Sequence, residues 1–354
     1  MAEQSAGPAA IGVFCSYVPL ELIEATGFRP QLITGLEAER SDPRLPANLC
    51  SYVRRCATFL DSQVAQQELS GLIVTDSCFP MLRLWDNIQE RANFPFQYLL
   101  KVPRLNSQSA IDFFGRELEQ LAEDLSLING IAFDKEKLYS AIELYNHFRS
   151  LNQRLLKIIM VGGRPQLAAR LTGLHASASL QNRRELNLQL ENLLAEIEGS
   201  EPDVSKAQRP RLLVAGSHFI DHKLMSTLAD LGGEVVGVDS CLYDRIDTDL
   251  IKADKNDPIP GLAAGYLYKT PCPRMRANRE HLFQIGSQTD NGDYDGIIFL
   301  QMKSCALHSY NLPVWRNMMH ETGVPLLILE IEDGEWASPR TVTRLEAFLE
   351  SLRG

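Results

Sequence analysis

The chain has 354 residues, more than one ordinary hydrophobic core accommodates, so two or three domains are expected. Hydrophobic residues make up 45% and charged residues 23%, a globular balance, and no apolar run nears the roughly 20 residues that span a bilayer. A net charge of −10 argues against nucleic acid as a partner, because phosphates would be repelled.

The opening MAEQSAGPAA lacks the basic start and apolar centre of a signal peptide. It is expected to be a frayed tail on a cytoplasmic protein. Strands are predicted at Ala10–Cys15, Gln31–Thr34, Gly71–Thr75 and Pro95–Val102, separated by helical stretches at Leu20–Thr26 and Tyr52–Gln67. These runs are rich in Ile, Val and Leu without period-two alternation, as strands buried on both faces are. The middle of the chain carries long amphipathic patterns instead, at Ala110–Ile128, Lys135–Ile159 and Arg183–Ile197, the last stopping at Gly199-Ser200-Glu201-Pro202. Strand signals return at Arg211–Ala215, Glu234–Val238, Gly296–Leu300 and Pro325–Leu329, with helices at Lys223–Leu231, Pro313–Thr322 and Pro339–Leu352.

Alternation of strand and helix implies parallel sheets covered by helices. The expected fold is therefore α/β: two Rossmann-like parallel-sheet domains, residues 1–105 and 209–354, with a helical segment over 106–208 between them.

Seven cysteines in a reducing compartment are unlikely disulfide partners, and an odd number leaves one unpaired. Six of them form two triplets: Cys15, Cys50 and Cys78, separated by 35 and 28 residues, and Cys241, Cys272 and Cys305, separated by 31 and 33. About 30 residues is one strand–helix–strand unit. Cys15, Cys78, Cys241 and Cys305 each fall at or just past the carboxyl end of a predicted strand, the edge where open parallel sheets bind ligands. Structural zinc prefers closely spaced pairs, and none occurs. An iron–sulfur cubane normally takes four cysteines, so three would leave one iron open. Two triplets facing across a cleft fit two open cubanes or two cubanes sharing a sulfide, although cysteine is also a common buried residue.

The segments GVFCSYVPLELIEATGF, NLCSYVRR and GLIVTDSC, then GVDSC, TPCPRMRANR, FLQMKSCALHSYNLP and VPLLILEIED, resemble the 2-hydroxyacyl-CoA dehydratase and benzoyl-CoA reductase subunit family. The likeness runs along nearly the whole chain, and the three-and-three cysteine split looks most like the double-cubane-cluster reductases. The resemblance implies that Cys15, Cys50, Cys78, Cys241, Cys272 and Cys305 hold an 8Fe-9S double cubane at the inter-domain cleft. It further implies a homodimer that reduces a small molecule with electrons from an ATP-hydrolysing 4Fe-4S activator. The alternatives are a single-cubane (4Fe-4S) dehydratase or reductase subunit with a dissimilar partner, and a cluster-carrying electron-transfer protein with no substrate site.

Other side chains near the triplets each have a functional and an ordinary reading. His308 and Lys303 flank Cys305 as candidate proton donors, histidine because its usual pKa lies near 6.5; otherwise they are a helix-start pair. Glu21 sits one turn into the helix after Cys15, where a carboxylate either serves the cluster or steadies the positive helix end. His218 and His222 follow a strand end, and Glu330, Glu332 and Asp333 close the last strand; all could reach the cleft or simply be polar termini. Arg54, Arg55, Arg274, Arg276 and Arg279 would stabilise an anionic cluster, dock an activator, or be solvated. Cys56 lies about 240° around the helix axis from Cys50 and is expected to be a buried structural thiol. No Walker loop and no GxGxxG after a strand occur, so ATP chemistry is left to a partner.

Overall fold

The computed structural model describes residues 9–354 except 36, 39, 92–93, 178–181, 203–208, 217–220, 242–248 and 333–334. The first sheet is built by β1 (Ala10–Val13), α1 (Leu20–Ala25), β2 (Arg29–Leu32), α2 (Ser51–Leu60), α3 (Gln63–Glu68), β3 (Leu69–Thr75), α4 (Phe79–Arg91) and β4 (Phe96–Leu100). Four helices follow: α5 (Gln108–Asn129), α6 (Lys135–Val161), α7 (Leu167–Ser177) and α8 (Arg183–Glu198). The second sheet comes from β5 (Arg211–Gly216), α9 (His222–Asp230), β6 (Glu234–Asp239), α10 (Pro258–Tyr268), α11 (Asn278–Asp290) and β7 (Gly296–Met302). It is completed by α12 (Ala306–Thr322), β8 (Leu326–Ile331) and α13 (Pro339–Leu352).

Both sheets are parallel throughout and have the same topology, β2-β1-β3-β4 and β6-β5-β7-β8. The central strands β1 and β7 are buried along their whole length, and their sequences are apolar apart from Gln301 near the end of β7. The two Rossmann-like sheets are those the run pattern predicts. No helix among the described residues is long and apolar enough to cross a membrane.

Several boundaries differ from the sequence expectation. The helix expected over Tyr52–Gln67 is two: α2 stops at Asp61, and Ser62 starts α3 by accepting the Ala65 N–H. The last predicted helix of the pair around β7 begins at Ala306 rather than Pro313, and Pro313 sits inside it. Strand β2 lies two residues earlier than expected. Helices α4, α7, α10 and α11 carry no prediction. Helix α10, PIPGLAAGYLY, is apolar on most sides and so has no amphipathic period to detect.

The cores are not divided between the halves. One runs from Ile11, Val13 and Ile23 through Phe114 and Leu118 of α5 to Ile259 and Leu262 of α10, and includes Cys15, Cys241 and Cys272. Helix α10 thus packs on α5, against the first sheet's side of the molecule. A second core joins α2, α4 and β3 to α6, α7, α8 and the β5–β7 region. A third covers the remaining face of the second sheet with α11 and α12. The expected tail, residues 1–8, lies outside the described residues.

Candidate functional site: a pocket ringed by six thiols

Each sheet delivers its cysteines from the carboxyl edge. Cys15 lies two residues past β1 and Cys78 three past β3; these adjacent strands flank the point where the strand order reverses, the usual ligand crevice. In the second half Cys241 lies two residues past β6 and Cys305 three past β7. Cys50 and Cys272 come from connections instead: Cys50 is the N-cap of α2, and Cys272 follows α10 in a turn closed by Met275 N–H to the Cys272 carbonyl (2.8 Å).

All six line one pocket together with Phe14, Ser16, Tyr52, Val53, Ser77, Met81, Met302, Leu307 and His308. Its cavity volume is small, about 60 Å³. Cys15, Cys50, Cys241 and Cys272 are buried, whereas Cys78 and Cys305 are half-buried.

The thiols sit in an arranged field. Interaction with the Cys305 thiol lowers the Cys50 pKa, and the same interaction together with burial raises that of Cys305. Backbone N–H groups of Val53 and Tyr52 also favour the Cys50 thiolate, those of Met81 and His308 doing the same at Cys78 and Cys305. Each sulfur therefore faces the first turn of α2, α4 or α12, where the helix dipole is positive. No formal cap hydrogen bond closes at Cys50 or Cys305, so the effect there is charge against dipole. Burial opposes it, pushing the Cys78 thiol up to about 12. Such a thiol gives up its proton when a metal cation takes the proton's place.

The other sequence candidates divide. His308 lines the pocket, 5% exposed, its ring edge-on to Phe299 at 5.9 Å. Lys303 does not line it; its ammonium donates to Glu332 (2.6 Å), which also takes Arg54 (3.3 Å). Glu21 is not brought to the pocket. It is fully buried, accepts from Arg149 Nη2 on one oxygen and from Tyr266 Oη (2.7 Å) on the other, and ties α1 to α6 and α10. Cys56 is completely buried, its thiol raised well above its usual value by burial, and is not in the pocket wall. Arg55 is spent on the Ala38 carbonyl, and Arg274 on the Val102 carbonyl (2.6 Å) with Asp76 at 3.6 Å. His222 pairs with Asp221 at the surface, and Glu330 is exposed. His218 and Asp333 lie outside the described residues.

Sequence reasoning missed the residues behind the sulfurs. Tyr17 Oη accepts the Cys272 N–H (3.3 Å), and Lys269, 5% exposed, donates to the Ser16 carbonyl with its ammonium over the Tyr17 ring at 4.5 Å. The YLYKTPC segment held a signal, an isolated lysine in apolar surroundings three residues before a cysteine. A larger groove of about 850 Å³ lies between α11 and α12, lined among others by Arg276, Arg279, Phe283 and Met318, and it meets the Cys272 loop at Pro273.

The donor set discriminates between kinds of metal site. Among the described residues, no three Cys, His, Asp or Glu side chains are close enough to hold one metal ion. Four sulfurs around a single zinc would stand roughly 3.8 Å apart, the edge of a tetrahedron of 2.3 Å bonds. The six thiols of the lining are sulfur donors, the donor type that soft metals and iron–sulfur clusters take.

Fold and site together define a two-sheet α/β protein with a cysteine-lined pocket at the strand ends. The chain belongs to the 2-hydroxyglutaryl-CoA dehydratase D-component family, whose model matches residues 15–352. It is 23% identical to the (R)-phenyllactyl-CoA dehydratase beta subunit of Clostridium sporogenes, over 99% of this chain and 93% of that one. It is 21% identical to the lactoyl-CoA dehydratase subunit beta of Anaerotignum propionicum, over 98% and 92% respectively. The chain is thus a dehydratase-type enzyme subunit, as the sequence resemblance implies at the level of family.

Proposed function

We propose that this subunit is an iron–sulfur oxidoreductase in which Cys15, Cys50, Cys78, Cys241, Cys272 and Cys305 hold a double-cubane cluster. The observation that supports this is that both triplets line the same pocket rather than one each of two sites. Such a cluster, when bound, supplies low-potential electrons singly. The chain's own part is to hold, orient and shield. Helix N-termini favour the thiolates, Phe14, Val53, Met81, Met302 and Leu307 keep water from the wall, and His308 stands within the lining to hold or release a proton at its imidazole. Lys303 serves the pocket only through Glu332. The sequence has no Walker loop, which leaves ATP hydrolysis to a partner; the family resemblance implies that this partner is a 4Fe-4S activator and that the assembly is a homodimer.

A second reading has a specific observation behind it. The relatives are named as beta subunits of dehydratases acting on CoA thioesters. In that case the pocket holds one 4Fe-4S cubane, a dissimilar subunit completes the enzyme, and the groove with Arg276 and Arg279 offers guanidinium groups to an anionic ligand.

Iron and acid-labile sulfide per chain, measured after anaerobic purification and reconstitution, separate the two. About eight irons supports the double cubane, and about four supports the single-cubane subunit. Failure to bind iron at all overturns both.

A further inference from the structure

One cysteine of each triplet is fastened to the other across the two halves of the chain. Cys15 is followed by Ser16 and Tyr17, and Cys272 comes three residues after Lys269, the C-cap of α10. The Cys272 N–H donates to Tyr17 Oη (3.3 Å), and the Lys269 ammonium donates back to the Ser16 carbonyl. These two bonds run in opposite directions between the same two segments, so neither segment shifts along the other without losing one. Cys15, Ser16 and Cys272 all line the thiol pocket, which puts the ammonium immediately behind its wall.

Lys269 is held against two aromatic faces, its Nζ 4.5 Å from the centre of the Tyr17 ring and 4.9 Å from that of Tyr266. Tyr266 is itself pinned, because its hydroxyl donates to Glu21 (2.7 Å) and accepts the Leu20 N–H (3.3 Å). Both tyrosines are buried and belong to the core that contains Cys15 and Cys272. A neutral donor would make the same bond to a carbonyl without the cost of stripping water from an ammonium. The charge itself is therefore what the position keeps, and a cation behind the thiols acts on any anionic group they hold.

Resting on the reading that the thiols hold an iron–sulfur cluster, we infer that Lys269 is a positioning residue for it, with two effects. Together with Tyr17 it locks Cys15 to Cys272 and so keeps the two triplets in register. Its positive charge favours the reduced, more negative form and raises the reduction potential. Each triplet contains one of the two locked cysteines, so both effects apply to a double cubane and to a single one.

The test uses anaerobically reconstituted protein and reads iron per chain, the rate of iron transfer to a chelator, and the midpoint potential from a redox titration followed by electron paramagnetic resonance. Lys269→Met and Tyr17→Phe should each release iron roughly two- to tenfold faster than wild type, the range for one lost hydrogen bond. Lys269→Met should also move the midpoint potential to a more negative value, and Lys269→Arg, which keeps the charge, should return it toward wild type. Tyr17→Phe leaves every charge in place and should shift the potential far less than Lys269→Met does. A merely structural role for Lys269 would speed release without separating the potentials of these two variants. Wild-type release and potential in Lys269→Met, or equal potentials in Lys269→Met and Tyr17→Phe, would overturn the assignment. Wild-type protein that takes up no iron would overturn the cluster reading itself, a result distinct from iron-loaded variants that behave as wild type. Near-ultraviolet circular dichroism verifies folding, and should Lys269→Met misfold, the Tyr17→Phe release rate decides, an unchanged rate overturning the lock.

Discussion

Replacing Glu21 by glutamine should cost stability rather than a catalytic step. Its carboxylate is fully buried and serves Arg149, itself 2% exposed, on one oxygen and the Tyr266 hydroxyl on the other. Glutamine keeps the shape but removes the charge from a buried ion pair, a defect of about 3–5 kcal/mol. At roughly 2.1 cal/mol/K per residue, a 354-residue chain unfolding as one unit has an unfolding entropy of about 0.7 kcal/mol/K. The melting temperature of metal-free protein should therefore fall by about 4–7 °C in scanning calorimetry. Tyr266→Phe removes the hydrogen bond to the charged group and the acceptor of the Leu20 N–H, and should cost about 1.5–3 kcal/mol. If the broken ion pair is the cause, Glu21→Leu combined with Arg149→Met should recover at least half of the loss. A fall under about 1 °C, or lost iron binding with an unchanged melting temperature, would refute this and return Glu21 to the site.

Serine replacement of each pocket cysteine in turn should lower bound iron, while Cys56→Ser leaves iron content unchanged, because Cys56 is sealed in the core away from the pocket; equal iron loss at Cys56 contradicts the ligand assignment. His175, whose pKa burial lowers to about 3, is held neutral in the folded chain, so the unfolded state binds its proton first as pH falls from about 6.5. Its contribution is complete above pH about 6.5 and is lost between there and about 3, at up to about 1.4 kcal/mol per pH unit. The variant His175→Phe should flatten the acid limb of stability, and calorimetry at several pH values checks it. Gly216→Ala should destabilise by about 2 kcal/mol or more in urea titration, since φ is +90° and a Cβ would lie 2.4 Å from the Leu300 carbonyl oxygen.

The sheets were legible because their strands are buried on both faces and announce themselves as unbroken aliphatic runs. The cysteines were legible because the βα repeat places residues spaced by one unit at one rim. Other features were hidden for physical reasons. Helix α10 is apolar nearly all round, so no period marks it, and its docking on α5 is a tertiary fact without local cause. Glu21 drew notice by lying near Cys15 in sequence, yet α1 turns it away toward Arg149, 128 positions later. Lys303 was placed beside Cys305 by sequence alone, whereas β8 supplies the carboxylate that captures it. Proximity along a chain says little about the direction a side chain takes once a helix or turn intervenes.

The thiol pocket is composed from both ends of the polypeptide, with Cys15 near the start and Cys305 just before the final helix–strand–helix. A nascent chain on the ribosome holds at most part of the ring until nearly all of it has emerged. A group that engages all six sulfurs can be completely held only once nearly the whole chain is made.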